Sequence, residues 1–298
     1  MPTIVISGAS GFVGRALSEQ LCSRGARVLA LVRPSASEKD GIRWDPEAQT
    51  IDANALEGVD AVVHLAGESI ASGRWNDAKK RRLVESRVRG TELIARTLAS
   101  LERKPSVWVS ASAVGYYGDR GDAWLDEDST PGDDFLAELA LRWEACTKPA
   151  ELAGIRVVHA RLGIVLDPSG GALEKMLLPF RLGVGGRIGD GKQFMSWISR
   201  RDAVRALEAA IDDPALRGPV NLTAPEPVTN AELTRLLGRA LGRPALLPVP
   251  AFAARLAFGE MADVALLSGA RVRPKRLLES GFHFDDPDLA AYLAAALG

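Results

Sequence analysis

Short apolar runs alternate with longer amphipathic stretches along the first half of the chain. Thr3-Ile4-Val5-Ile6-Ser7 is β-branched and apolar, the pattern of a strand buried on both faces. It runs into Gly8-Ala9-Ser10-Gly11-Phe12-Val13-Gly14, after which Val13, Leu17 and Leu21 fall on one helical face and Gly25 supplies the stop. A second buried strand, 27–32, completes a βαβ unit whose two strands should be parallel and adjacent. Residues 60–67 read as a strand ending in a glycine turn, followed by a long helix from about Trp75 to Leu101. A strand at 107–112, a helix from about Asp134 to Leu152 and a strand at 155–162 come next. At least five strands with helices between them predict an α/β fold, a Rossmann-type doubly wound parallel sheet.

After about residue 165 the rhythm weakens. Asp167-Pro168-Ser169-Gly170-Gly171 and Gly183-Val184-Gly185-Gly186 are loop punctuation. Helix patterns recur at 202–212, 229–241 and 250–268, with short strands near 219–222 and 246–249. The expected division is a Rossmann domain over 1–165, to which later segments return, and a small C-terminal α/β cap over 166–298 that closes the substrate side of a cleft.

Composition narrows the partners. The 298 residues suit two units, at about 150 residues each, or one large α/β domain with an appendage. Lys and Arg number 37 against 38 Asp and Glu, so neither nucleic acid nor an anionic membrane is expected to be held by general charge. With 47% hydrophobic and 25% charged residues, a largely disordered chain is excluded. Cys22 and Cys146 cannot make a disulfide framework, and His64, His159 and His283 lie far apart without paired cysteines, so no metal site is expected. No apolar run approaches the ~20 residues that cross a bilayer. Met1 leads straight into a strand, and with the low cysteine usage this predicts a cytoplasmic protein.

Candidate chemistry concentrates at the first turn. Gly8, Gly11 and Gly14 form G-x-x-G-x-x-G between a strand and a helix. Gly8 permits a tight turn, Gly11 lets backbone approach a pyrophosphate, and Gly14 lets helix and strand pack closely. Ser10, Phe12 and Val13 complete the set, where free N–H groups and the helix dipole favour an anion. A purely structural turn is the alternative. The second strand should end at the adenosine ribose, where NAD binders place a carboxylate. Here Val32-Arg33-Pro34-Ser35-Ala36-Ser37 offers a cation instead, and a guanidinium suits a 2′-phosphate. The expected cofactor is therefore NADP, against the alternative that Arg33 is a solvated arginine at a strand end. Leu65, Ala66 and Gly67 bring small residues and bare backbone to the cleft. His64 reads as a core histidine, and Lys79-Lys80-Arg81-Arg82 as a solvated face. Arg87 shares an inward stripe with Leu83, Gly90, Ile94 and Leu98, so it needs an anionic partner, either the cofactor or an internal carboxylate.

These residues resemble the extended short-chain dehydrogenase/reductases, the group of NAD-dependent epimerases and dehydratases. The resemblance rests on the Gly8/Gly11/Gly14 turn, on Leu65-Ala66-Gly67, and on Ser110-Ala111-Ser112-Ala113-Val114-Gly115-Tyr116-Tyr117-Gly118. Arg161-Leu162-Gly163, Gly189-Asp190-Gly191 and Pro227-Val228-Thr229 extend it. More narrowly the chain resembles the YfcH-like epimerase proteins, sometimes labelled cell-division-inhibitor-like. Glu68 with Arg74-Trp75, Arg142-Trp143-Glu144, Met176-Leu177-Leu178-Pro179-Phe180-Arg181 and Pro274-Lys275-Arg276-Leu277 carry that likeness.

The resemblance implies a serine with a Tyr-x-x-x-Lys pair one helical turn apart, and the chain departs from it. Ser112 fits the serine. Only Tyr116, Tyr117 and Tyr292 are present, and none has a lysine four residues on. The best alignment puts Phe135 at the tyrosine position and Leu139 at the lysine position. Ser112 with Tyr116 or Tyr117 is the expected catalytic set, with Glu138 or the substrate itself as the other proton source. In the cap, Gln193–Trp197 should face the cleft, and Arg181, Arg200 or Arg201 meet an anionic substrate or lie at the surface. The resulting expectation is an atypical NADP-dependent oxidoreductase or epimerase acting on a small polar molecule. A cofactor-occupied regulatory protein with little turnover, linked to cell division, is the competing reading. A homodimer is left open.

Overall fold

The computed structural model describes residues 1–34 and 41–298. Ser35, Ala36 and Ser37, read above as following the second strand, lie outside the described residues. Eight strands form the central sheet: β1 (Thr3–Ser7), β2 (Arg27–Val32), β3 (Ile42–Asp45), β4 (Thr50–Ile51), β5 (Ala61–His64), β6 (Val107–Ala113), β7 (Arg156–Leu162) and β8 (Gly218–Leu222). Their order is β8-β7-β6-β5-β1-β2-β3-β4, parallel except at the β3–β4 hairpin. From β1 the chain steps outward to β2 and β3 on one side, then returns to β5 on the other. The β1/β5 seam is thus the switch point, where two strand ends diverge and a ligand crevice forms outside them.

Alternate side chains serve two cores. Ile4 and Ile6 face α1 (Phe12–Ser23) and α6 (Arg200–Asp212), which buries Ala203, Ala206 and Leu207. Val5, Val62 and Trp108 face α2 (Asp77–Ser100), which buries Ile94 and Leu98. A third core lies in the region expected as the cap, where α5 (Gly171–Arg181), α7 (Asn230–Ala240) and α10 (Leu289–Leu297) surround Trp197. Past residue 165 the chain re-enters the sheet layer, since β8 pairs with β7 and α6 covers the sheet. Among the described residues no helix is long and apolar enough to cross a membrane.

Several expected elements differ. The helix expected over 134–152 is two, α3 (Phe135–Ala145) and α4 (Lys148–Leu152). Pro149 has no N–H to donate back to Ala145, so a continuous ladder is not available. The 250–268 pattern is α8 (Ala251–Phe258), stopped by Gly259 at φ 65°, and a separate wide turn at Ala262–Leu266, with the short α9 (Lys275–Glu279) beyond it. No strand forms at 246–249; Val249 only bridges Ile188. The β3–β4 hairpin is an addition, anchored by Trp44 at 3% exposure.

Candidate functional site

A cleft of about 390 Å³ opens at the carboxyl ends of β1, β2 and β5. The glycine turn forms its floor. Gly8 sits at φ 72°, and a Cβ there would come within 3.0 Å of the Ala66 nitrogen. A Cβ on Gly14 would lie 2.1 Å from the Gly8 carbonyl oxygen, so the close packing of turn and helix depends on it. Gly11 differs: a Cβ would meet only the Gly8 oxygen, at 3.0 Å. It caps α1 in extended conformation, and Ser10 beside it is exposed. The N–H groups of Phe12 and Val13 belong to the first helical turn, where no intrahelical acceptor exists. The Phe12 ring faces elsewhere, lying where side chains on Gly170 and Gly171 would be. Arg200 stacks on it at 5.1 Å and pairs with Asp167 at 3.2 Å.

The opposite wall is Leu65, Ala66 and Gly67. The Ser7 hydroxyl oxygen accepts from the Leu65 and Ala66 N–H groups, both at 3.2 Å, and lies 2.5 Å from His64 Nδ1. This ties the ends of β1 and β5 together across the switch point. His64 is fully buried, its Nε2 has no hydrogen-bond partner, and burial pushes its pKa down to about 3, with Arg87 adding to the effect. It is neutral and structural, as its sequence position suggested.

At the end of β2, Arg33 lines the cleft, and among the described residues no carboxylate does. The Arg33 carbonyl accepts from Arg43 Nη1 at 3.2 Å, so a second guanidinium from β3 stands at the same corner. Sequence reading missed Arg43 because it missed the hairpin. Arg87 lies behind Gly67, its guanidinium carbon 3.6 Å from where a Cβ would be. It donates to the Leu83 carbonyl at 3.2 Å and stacks on Trp143 at 5.0 Å. Burial lowers its pKa to about 10, with nearby Glu68 opposing, so it stays cationic at neutral pH. Among the described residues it makes no direct ion pair, and Glu68 acts on it only from a distance.

The Lys79–Arg82 run is not a uniformly solvated face. Lys79 is 3% exposed, with Nζ donating to Glu68 Oε1 at 2.6 Å and to Ser72 at 2.5 Å. This pins the loop that follows Gly67. Lys80 pairs with Glu260 at 2.8 Å and sits 4.9 Å over the Phe135 ring.

The serine strand ends in a buried network that sequence reading did not assign. The Ser112 hydroxyl donates to Glu144 Oε1 at 2.7 Å. Arg161 forks onto Glu144, Nε to Oε1 and Nη2 to Oε2, both at 2.8 Å. Arg161 Nη1 donates to the Tyr117 oxygen at 3.0 Å, and that phenol donates to Asn221 Oδ1 at 2.7 Å. The only sequence signal was a matched arginine in β7 and a matched glutamate in α3, both quoted for family likeness alone.

This geometry corrects the expectation for Tyr117. It is 0% exposed, its oxygen is engaged on both sides, and burial pushes its pKa up to about 12. It holds β6 against β7 and β8 and has no open path to a ligand. Ser112, 2% exposed, points at Glu144. Tyr116 is half-buried and stacks on Arg161, ring centroid 3.5 Å from the guanidinium carbon. Phe135 and Leu139 pack with Trp75, Leu83 and Met261, so the positions where tyrosine and lysine were sought form an apolar cluster. Trp197 is core rather than cleft wall: it stacks on Tyr292 at 5.8 Å, and its indole N–H donates to the Glu226 carbonyl.

A parallel sheet with a glycine-lined crevice at its switch point defines a dinucleotide-binding class of protein. The chain belongs to the NAD dependent epimerase/dehydratase family, whose description matches residues 4–222, and a domain of unknown function, DUF1731, matches residues 249–296. It is 47% identical to the epimerase family protein MT2273 of Mycobacterium tuberculosis, over 94% of this chain and 93% of that one. Human epimerase family protein SDR39U1 is 39% identical over 97% of this chain and 98% of its own length. The crystal structure of that human protein with NADPH superposes with a TM-score of 0.90, at 36% identity, covering 99% of each chain. A nucleoside-diphosphate sugar epimerase from Corynebacterium glutamicum superposes with a TM-score of 0.83 at 37% identity, over 100% of this chain and 59% of that one.

Proposed function

We propose that this chain binds NADP(H) in the β1/β5 crevice and uses it as an oxidoreductase on a small polar substrate. The observation that carries the reading is the β2 corner: Arg33 lines the cleft there, and among the described residues no carboxylate does. A ribose 2′-phosphate is a fit for a guanidinium and would be repelled by the acid that reads a free hydroxyl. The NADPH in the human relative's structure supports the same choice. Gly8 and Gly11 leave the floor open to a pyrophosphate, Ser10, Phe12 and Val13 offer N–H groups, and Arg87 supplies positive charge behind the Leu65–Gly67 turn. The bound cofactor supplies hydride transfer at its nicotinamide. The chain must supply the proton, and we assign that role to Tyr116; its half-buried ring stacked on Arg161, which Glu144 holds, supports the choice.

Titration with both cofactors tests the reading. NADPH should bind about ten- to a hundredfold more tightly than NADH, and Arg33→Ala should erase most of that difference. Equal affinities in the unaltered chain would sink it. With a substrate found by carbonyl screening, Tyr116→Phe should lose about a hundredfold or more in turnover at unchanged NADPH affinity, while Tyr117→Phe keeps its turnover.

One observation favours a second reading, a cofactor-occupied binding protein with little turnover. Phe135 and Leu139 belong to an apolar cluster, so the positions that the family resemblance assigns to acid and lysine carry no ionisable group. Tight NADPH binding with no reduction across a broad carbonyl screen would support it.

A further inference from the structure

A second concavity, of about 380 Å³, lies between α7 and the loop that follows it, and shares no lining residue with the cofactor cleft. Four arginines line it. Arg235 and Arg239 stand one turn apart on α7, Arg243 comes from the following loop, and Arg187 from the loop after α5. All four are exposed.

The backbone carrying them is held in place. Gly238 lets the loop close onto α7: a Cβ there would lie 2.9 Å from both the Ala245 Cβ and the Arg243 carbonyl oxygen. The Arg243 N–H donates to the Gly238 carbonyl at 2.9 Å. On the other rim, a Cβ on Gly186 would fall 1.8 Å from the Leu247 oxygen, and Val249 N–H donates to the Arg187 carbonyl at 2.8 Å. Two loops are thus locked together with their guanidiniums around one hollow.

Little within the chain neutralises them. Glu232 reaches Arg235 only at 3.8 Å, with both groups exposed. Arg187 donates to the Asp190 carbonyl at 3.2 Å. Arg239 and Arg243 have no ion pair and no side-chain hydrogen bond among the described residues. Four like charges around one concavity repel each other and raise the local concentration of anions. Guanidinium forks match phosphate oxygens bidentately, and a multiply charged phosphate engages several at once.

The geometry points to a binding site for a soluble phosphate ester carrying two or more negative charges, such as a diphosphate or a doubly phosphorylated sugar. Leu246 and Pro248 on the same wall give the non-phosphate part of the ligand an apolar contact. The site is independent of the proposed cofactor.

Calorimetric titration of the full chain with inorganic pyrophosphate, with one equivalent of NADPH present to fill the cleft, tests this. One saturable site is expected. Arg239→Gln with Arg243→Gln should weaken it by about tenfold or more, with circular dichroism and NADPH affinity unchanged. No pyrophosphate binding to the unaltered chain, or equal binding by the double variant, would overturn the proposal. Vesicles containing anionic phospholipid form the second arm. Capture on them without any binding of pyrophosphate would also overturn it, because the charge would then serve a lipid headgroup surface.

Discussion

Gly11 and His64 show how differently two invisible contributions are made at the residue scale. Gly11 has an ordinary φ of −73°, so a side chain there is not strained by the backbone. A Cβ would meet only one atom, the Gly8 oxygen, and the remaining space is the crevice. Gly11→Val should therefore lower the unfolding midpoint only modestly, the Gly8 carbonyl having to give a little, while the folded chain's NADPH affinity falls by about a hundredfold or more, the worth of two charge-assisted phosphate contacts. Retained affinity in a fluorescence titration would show that the turn is only structural. His64 contributes through protonation. Its pKa is lowered from 6.5 to about 3 in the folded chain, so between those values the unfolded state binds more protons. Stability should fall as pH drops below 6.5, by up to about 1.4 kcal/mol per unit from this group. Urea unfolding of the parent and of His64→Asn across that window should show the shallower pH dependence in the variant.

At the scale of elements, the Glu144–Arg161 pair joins α3 to β7 beneath the serine strand, with side chains 10% and 3% exposed. Arg161→Met should cost about 3–5 kcal/mol in urea unfolding, because Glu144 is left buried without its cation. Arg161→Met combined with Glu144→Leu should recover much of that loss. A double variant no better than the single one would mean that the links to Ser112 and Tyr117 carry the stability. This network also marks where sequence reading stopped. Strands such as β1 and β6 were legible because both faces are buried and the pattern is local. The glycine turn was legible because spacing alone dictates its geometry. Arg43 was not, since β3 is four residues long and alternates buried with exposed positions. Tyr116 and Tyr117 could not be told apart, because two adjacent tyrosines give no sign of which one turns inward. Burial of its phenol depends on Asn221, more than a hundred residues away.

The whole molecule is interleaved. After β7 the chain enters the cap core with Leu166 and α5, returns to the sheet with α6 and β8, and goes back with α7. It comes again to the sheet core at Leu277 and Phe284, and ends in the cap with Leu289 and Leu293. Neither core is a continuous piece of sequence. Trp108 reports on the sheet and Trp197 on the cap. Single-tryptophan variants retaining one or the other should unfold with coincident midpoints in denaturant, the mark of one cooperative unit. Separate transitions would show that the cap can open alone. The threading also bears on how the protein is made. The Tyr292 phenol donates to the Leu166 carbonyl, 126 residues earlier, and packs on Trp197. On the ribosome, where synthesis runs at about 5–20 residues per second, β1, α1 and β2 emerge early and can pair at once. The cap's half-built core must wait for α10. For those seconds its leucines are exposed to every other nascent chain, and that interval, rather than the finished fold, is where a chaperone has something to hold.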